Sequence, residues 1–158
     1  MTERKDNLCE PFGQSNLERV NNALIVTKEK KRPSKYIIDN INRLSFSKYL
    51  VDGGLITESS KRCDYLILKC NNELPPDAYF IELKGADYRE AINQINISID
   101  KLYSSIANST VNARIVVTTI QKPRLYEQIE FKLKERLRKL NRGDLRTASG
   151  VLTERILA

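Results

Sequence analysis

The chain has 158 residues, of which 41% are apolar and 30% charged, and a formal net charge of +7. That length fits one domain, able to bury roughly 70% of its unfolded surface without a staple. Histidine is absent, which excludes Ser-His-Asp triads, Cys-His pairs, histidine-ligated zinc and imidazole general bases.

Any catalysis therefore has to use carboxylates, lysine, tyrosine or cysteine, with a hard cation held by oxygen as the compatible metal. The basic balance favours polyanions such as nucleic acid or anionic lipid, although a merely soluble basic surface carries the same charge. No apolar run approaches the roughly 20 residues that span a bilayer. The opening MTERKDNLCEPFGQSN lacks an apolar signal core, so a cytoplasmic location is expected. Cys9, Cys63 and Cys70 are odd in number and lack zinc-type spacing. Cys63 and Cys70 read as small buried hydrophobes, and a disulfide is not expected in a reducing compartment.

Residues 1–15 are polar and aperiodic, which predicts a loose N-terminal arm ahead of a single domain over 16–158. In NLERVNNALIVT, Leu17, Val20, Leu24 and Ile25 recur at helical spacing and predict a first helix. KEKKRP is a charge run, read as a solvated loop with phosphate contact as the alternative. KYIIDNINRL is ambiguous and fits a short helix. LSFSKYLVDGG alternates and predicts a strand closed by Gly53-Gly54. CDYLILKC is an apolar strand with little alternation, so both faces should be covered. NNELPPDA reads as a loop, and YFIELK as the next strand, stopped by Gly85.

A helix is predicted over 87–107. Tyr88, Ala91, Ile92, Ile95, Ile99, Leu102, Tyr103 and Ile106 form its apolar stripe and Asp87 its N-cap. ARIVVTTI is a further buried strand, and the β-α-β link should be parallel and right-handed. A second helix is predicted over 124–141, with Leu125, Ile129, Leu133, Leu137 and Leu140 inward. Lys132, Lys134, Arg136, Arg138 and Lys139 lie on its outer face, and Gly143 stops it. DLRTASGVLTERIL fits a short hairpin. These elements add up to an α/β or α+β sandwich, a mixed sheet with helices on both sides.

The chemistry concentrates where CDYLILKC meets AYFIELKG. If Cys70 pairs with Ala78 in a hairpin, Asp64 faces Lys84, with Glu82 diagonal on the same face and Leu83 turned away. Two carboxylates this close raise one pKa unless a cation sits between them. Mg²⁺ would take their oxygens, and Lys84 would add a point charge for the attacking water or the phosphorus centre. The tripeptide Glu-x-Lys is weak alone, because Glu3–Lys5, Glu29–Lys31 and Glu130–Lys132 repeat it. Only Glu82–Lys84 ends a buried-type strand and has an aspartate entering the strand before it. The bland alternative is a Glu–Lys pair at a strand end with Asp64 in a turn.

KRCDYLIL followed by YFIELKG resembles the PD-(D/E)XK nuclease superfamily, and the layout of residues 44–120 is most similar to its archaeal Holliday junction resolvase branch. The resemblance implies a restriction-endonuclease-like three-layer α/β core, with a mixed sheet of about four strands flanked by helices. It also implies divalent-metal-dependent cleavage of DNA or RNA, with Mg²⁺ or Mn²⁺ as cofactor. Asp64 and Glu82 match the metal-binding acids, Lys84 the catalytic lysine, and Gln94 a glutamine that some branches place near the site. Cys63 stands where the family name has proline. Many members add an upstream acid; Asp52 ranks first here for proximity, with Glu18 and Glu58 as alternatives. Lys61 and Arg62 flank Asp64 and could grip the scissile backbone. The expected activity is that of a DNA endonuclease, against the alternative of a catalytically silent nucleic-acid-binding subunit. Nucleic acid is the expected partner and a membrane is not, while homodimerisation stays open.

Overall fold

The computed structural model describes residues 7–29, 33–84, 87–118 and 126–158. Among the described residues, nine strands and two helices follow one another. They are β1 (Leu17–Val20), β2 (Leu24–Lys28), β3 (Lys35–Asp39), β4 (Phe46–Leu50), β5 (Tyr65–Asn71), β6 (Leu74–Lys84), α1 (Tyr88–Leu102), β7 (Val111–Val117), α2 (Glu127–Lys139), β8 (Leu145–Ser149) and β9 (Val151–Arg155). A 3-10 turn over Tyr103–Ile106 extends α1. The six-stranded sheet has the order β1-β4-β5-β6-β7-β8, and the three-stranded sheet the order β2-β3-β9.

The large sheet is antiparallel from β1 through β6 and parallel from β6 through β8. The change occurs where connections become helical, because parallel neighbours need a long crossover while antiparallel ones do not. One face of this sheet buries Leu66, Leu68, Ala78, Phe80, Ala113 and Ile115 under Ala91, Ile92, Ile95 and Ile99 of α1 and Leu133 and Leu137 of α2. The other face buries Ile67, Ile81, Leu83 and Val116 under Ile25, Tyr36 and Ile38 of the small sheet. Each such aliphatic side chain contributes about 1.5–3 kcal/mol through its removal from water. The coarse α/β class is as expected, with a mixed sheet. The expected four strands with helices on both sides give way to six strands, with helices on one face and a second sheet on the other.

The N-terminal third carries the largest correction. The helix expected over 16–27 is two strands. In β2, Ile25 and Thr27 are buried while Leu24 and Val26 are exposed, a period of two that β-branched residues favour. The residues between the strands, Asn21 to Ala23, interrupt the apparent helical spacing. KYIIDNINRL likewise supplies β3, with Tyr36 and Ile38 fully buried. Its Asn40 side chain closes the following turn, accepting from the Leu44 N–H at 2.9 Å.

The loop expected around Pro75-Pro76 is the start of β6. Those prolines precede Ala78, where pairing with β7 begins, so one strand edge is open and no ladder donor is lost. The expected C-terminal hairpin also fails. β8 pairs in parallel with β7, and β9 in parallel with β3. Gly150, at φ +76°, turns the chain between the sheets. Its N–H donates to Val117 O at 2.8 Å and its carbonyl accepts from Lys35 N at 3.0 Å. Gly143 ends α2 as expected: a Cβ there would lie 1.7 Å from Val111 O.

The two main helices form over α1 and α2 as the periodicity predicts, and Asp87 caps α1 by accepting from Glu90 N. Leu125, Gly85 and residues 1–6 of the expected arm lie outside the described residues. Residues 7–16 are not loose. Phe12 packs edge-on against Tyr49, whose hydroxyl donates to Gly13 O at 2.7 Å. A disulfide joins Cys9 to Cys70 across a Cα separation of 5.4 Å. This corrects the expectation of free thiols: the packing on Tyr49 carries Cys9 to β5, a pairing that spacing alone does not reveal. Cys63 is free and buried, as expected. Among the described residues no helix is long and apolar enough to cross a membrane.

Candidate active site

The register of β5 and β6 pairs Tyr65 with Ile81 and Leu68 with Ala78. That is two residues from the register assumed above; the strands meet in a tighter turn, with Asn71 paired to Leu74 and an irregularity between Lys69 and Asn71. A shift of two leaves the faces unchanged and alters the partners. Asp64 stands just before this ladder, its N–H on Ile81 and its carboxyl against Glu82, and Lys84 lies one step further along Glu82's face. Asp64 is 7% exposed and Glu82 1%.

The backbone around Asp64 is held from several sides. Its N–H donates to Ile81 O at 3.0 Å, and its carbonyl accepts from Val51 N at 3.0 Å. Its carboxylate Oδ2 accepts from Leu83 N at 2.8 Å. The Val51 contact brings the end of β4 alongside and delivers Asp52. The carboxylates of Asp64, Asp52 and Glu29 lie with one ligand oxygen each within 4.8 Å of one another. Glu29 follows β2 and so comes from the second sheet. The carboxyl of Asp64 is in hydrogen-bond contact with both Glu29 and Glu82.

Burial is the first cause that pushes Asp64 up, to about 7. The charge of Glu82 and its hydrogen bond push the same way, while the Glu29 and Leu83 hydrogen bonds pull it down. Proton sharing of this kind is expected where buried carboxylates meet. Burial also pushes the Cys63 thiol up strongly, which disqualifies it as a nucleophile at neutral pH. The cluster offers only oxygen donors, a set that fits a hard cation such as Mg²⁺ or Mn²⁺ and not a thiophilic one.

The other expected residues divide. Asp52, ranked first among the upstream acids, has a carboxylate oxygen within 4.8 Å of those of Asp64 and Glu29. Glu18 lies on β1, opposite Lys48, and Glu58 pairs with Lys101 at 2.6 Å; neither belongs to the Glu29–Asp52–Asp64 group. Lys84 is half-buried at the end of β6, where its carbonyl accepts from Ser34 Oγ at 3.5 Å. Lys61 pairs with Glu90 at 2.9 Å and Arg62 Nε with Asp52 at 2.7 Å. Both basic side chains therefore face acids of the protein itself, and Arg62 also donates to Glu58 O. Gln94 directs its Nε2 to Arg62 O at 3.0 Å, behind the acids.

Glu29 is the residue that the sequence did not yield. It sits in a charge run, inside one of the tripeptide copies set aside as uninformative. The available signal is phase: Ile25 and Thr27 are the inward positions of β2, and Glu29 continues their alternation. That phase is visible only once the segment is read as a strand. On the basic face of α2, Lys134, Arg136 and Arg138 are paired with Glu130, Asp100 and Glu135, as a solvated helix face would be.

Comparisons of the chain with family models, with curated proteins and with solved structures found no match.

Proposed function

We propose that the protein is a divalent-metal-dependent nuclease that hydrolyses phosphodiester bonds, with DNA as the favoured substrate and a site of the PD-(D/E)XK kind. One observation carries this reading: the carboxylates of Glu29, Asp52 and Asp64, from three chain segments, gather within 4.8 Å of one another, and Glu82 of the adjacent strand acts on Asp64. Asp64 and Glu82 are buried, and like charges gathered about a buried carboxylate cost stability unless a ligand offsets them. The net charge of +7 supports a polyanionic substrate.

Asp64, Asp52 and Glu29 would hold Mg²⁺ or Mn²⁺, with Glu82 bracing Asp64 from the adjacent strand. When bound, the cation supplies offsetting charge at the phosphate. Lys84 contributes a fixed ammonium that stabilises negative charge developing at phosphorus. Histidine is not needed for any of these roles.

The test is a cleavage panel on single-stranded, duplex and branched DNA and on RNA, with Mg²⁺, Mn²⁺ or a chelator. Wild type should cut only with metal, and Glu82→Ala and Lys84→Ala should each lower the rate by roughly 10²–10⁴-fold while melting as cooperatively as wild type. Binding without cleavage on every substrate would replace this reading with a catalytically silent nucleic-acid-binding subunit.

A further inference from the structure

Ser98 is an anomaly in its helix. It lies on the apolar stripe of α1 among Ala91, Ile95, Ile99 and Leu102 and is completely buried. Serine is a mediocre helix former, and a buried hydroxyl costs free energy unless it is hydrogen-bonded. Its Oγ donates to Gln94 O at 2.8 Å, one turn back, and accepts from Cys63 N at 2.7 Å. Gln94, four residues earlier on the same helix face, donates through Nε2 to Arg62 O at 3.0 Å.

The carbonyl of Arg62 and the N–H of Cys63 belong to one peptide group. Two side chains of α1 therefore hold both polar ends of a single peptide plane. Only the NH₂ end of Gln94 can donate to a carbonyl, which fixes the orientation of its amide. The Oε1 left behind is buried with no hydrogen-bond partner among the described residues. Such an atom carries a desolvation cost, so holding Arg62 O outweighs satisfying both ends of the amide.

The clamped peptide has a particular address. On its N-terminal side, Arg62 holds Asp52 through Nε at 2.7 Å. On its C-terminal side, one residue on, stands Asp64. A rotation of this plane would swing the Arg62 arm and the Asp64 carboxylate together. We propose that Gln94 and Ser98 form a positioning clamp on the Arg62–Cys63 peptide, which sets Asp52 and Asp64 at the spacing a divalent cation requires. This rests on the metal-site reading above. Neither side chain touches the reacting atoms; both act through the peptide they hold.

The test combines Mn²⁺ titration with amide hydrogen exchange at a temperature where every variant is folded. Ser98→Ala and Gln94→Leu should weaken Mn²⁺ binding by about 10–100-fold, the usual effect of losing an outer support of a metal ligand. Ser98→Thr, which keeps the hydroxyl, should restore most of the affinity. Leu102→Ala, a cavity in the same helix away from the clamp, should lower the melting temperature and leave the affinity unchanged. Ser98→Ala should also speed exchange of the Cys63 amide selectively over that of Leu66. Clamp variants that bind Mn²⁺ like wild type overturn the inference, as does an equal loss of affinity in Leu102→Ala. A wild type that binds no Mn²⁺ refutes the metal reading instead. The clamp then stands or falls on exchange: a Cys63 amide as protected as Leu66 in wild type and released in Ser98→Ala supports it, and any other pattern overturns it.

Discussion

The buried charge centres around Arg114 and around Asp64 are built on opposite plans. At the first, Arg114 on β7 is 3% exposed and pairs with Glu154 of β9 and with Asp144 at 2.8 Å. Tyr36 adds its hydroxyl to Glu154 at 2.9 Å, and Arg114 lies over the ring of Tyr79. Each acid there is matched by a guanidinium supplied by the fold. At the second, Asp64 has Glu82 and Glu29 against its carboxyl and burial raises its pKa. The first centre joins the two sheets and is complete. The second accumulates acids around Asp64, a balance that the proposed cation would improve. Burial of charge alone thus does not mark a site; the sign of the neighbours does.

Three perturbations sharpen this contrast. The largest effect is expected from Arg114→Met, which takes the buried guanidinium from Glu154 and leaves it the exposed Arg146 at 3.3 Å. It should cost about 3–5 kcal/mol in chemical denaturation and leave Mn²⁺ affinity unchanged.

The second perturbation goes the other way. The folded carboxyl of Asp64 titrates near 7, above its unfolded value of 3.8. Between those values the folded state binds more protons than the unfolded one. Stability linked to Asp64 is therefore present below about pH 4 and is lost as the pH rises through about 7. Asp64→Asn should remove that loss, gaining on the order of 3 kcal/mol at pH 8 in chelator, and should abolish metal binding. Denaturation curves at pH 5 and pH 8 for both proteins check the sign; a variant no more stable than wild type at pH 8 would break the comparison.

The third and smallest effect is ligand stabilisation. Mn²⁺ at a hundred times its dissociation constant should add about 2.7 kcal/mol at pH 8. It should add less at pH 5, where protons compete for Asp64. Arg114→Met should show the same increment, because its own centre takes no cation.

Legibility in the sequence followed the length and locality of each pattern. The helices α1 and α2 and the strands β5, β6 and β7 have long apolar signatures that decide their type. The strands of the N-terminal third are four or five residues long, and their partners include β9, far along the chain. Within NLERVNNALIVT, two short strands mimic one helical stripe because Val20 and Leu24 are four apart. Asp64 and Glu82 were legible because charges at the ends of apolar strands stand out, and Asp52 because it borders a glycine turn. Their partners across the hairpin were not, since the local pattern does not say where the β5–β6 turn falls. Glu29 was hidden because its meaning depends on a layer whose existence the local pattern did not declare.

The parallel pairing of β3 with β9 has a kinetic consequence. Residues 35–39 are synthesised long before residues 151–155, yet the small sheet is incomplete until the two meet. Contacts between such distant segments form slowly, because loop closure must precede any gain from pairing. Glu29 enters the acidic cluster from that sheet. A nascent chain can thus assemble the β5–β6 hairpin, with Asp64 and Glu82 in place, well before Glu29 is fixed. On the proposed metal reading, tight cation capture would be a late event, timed to the arrival of the final strand.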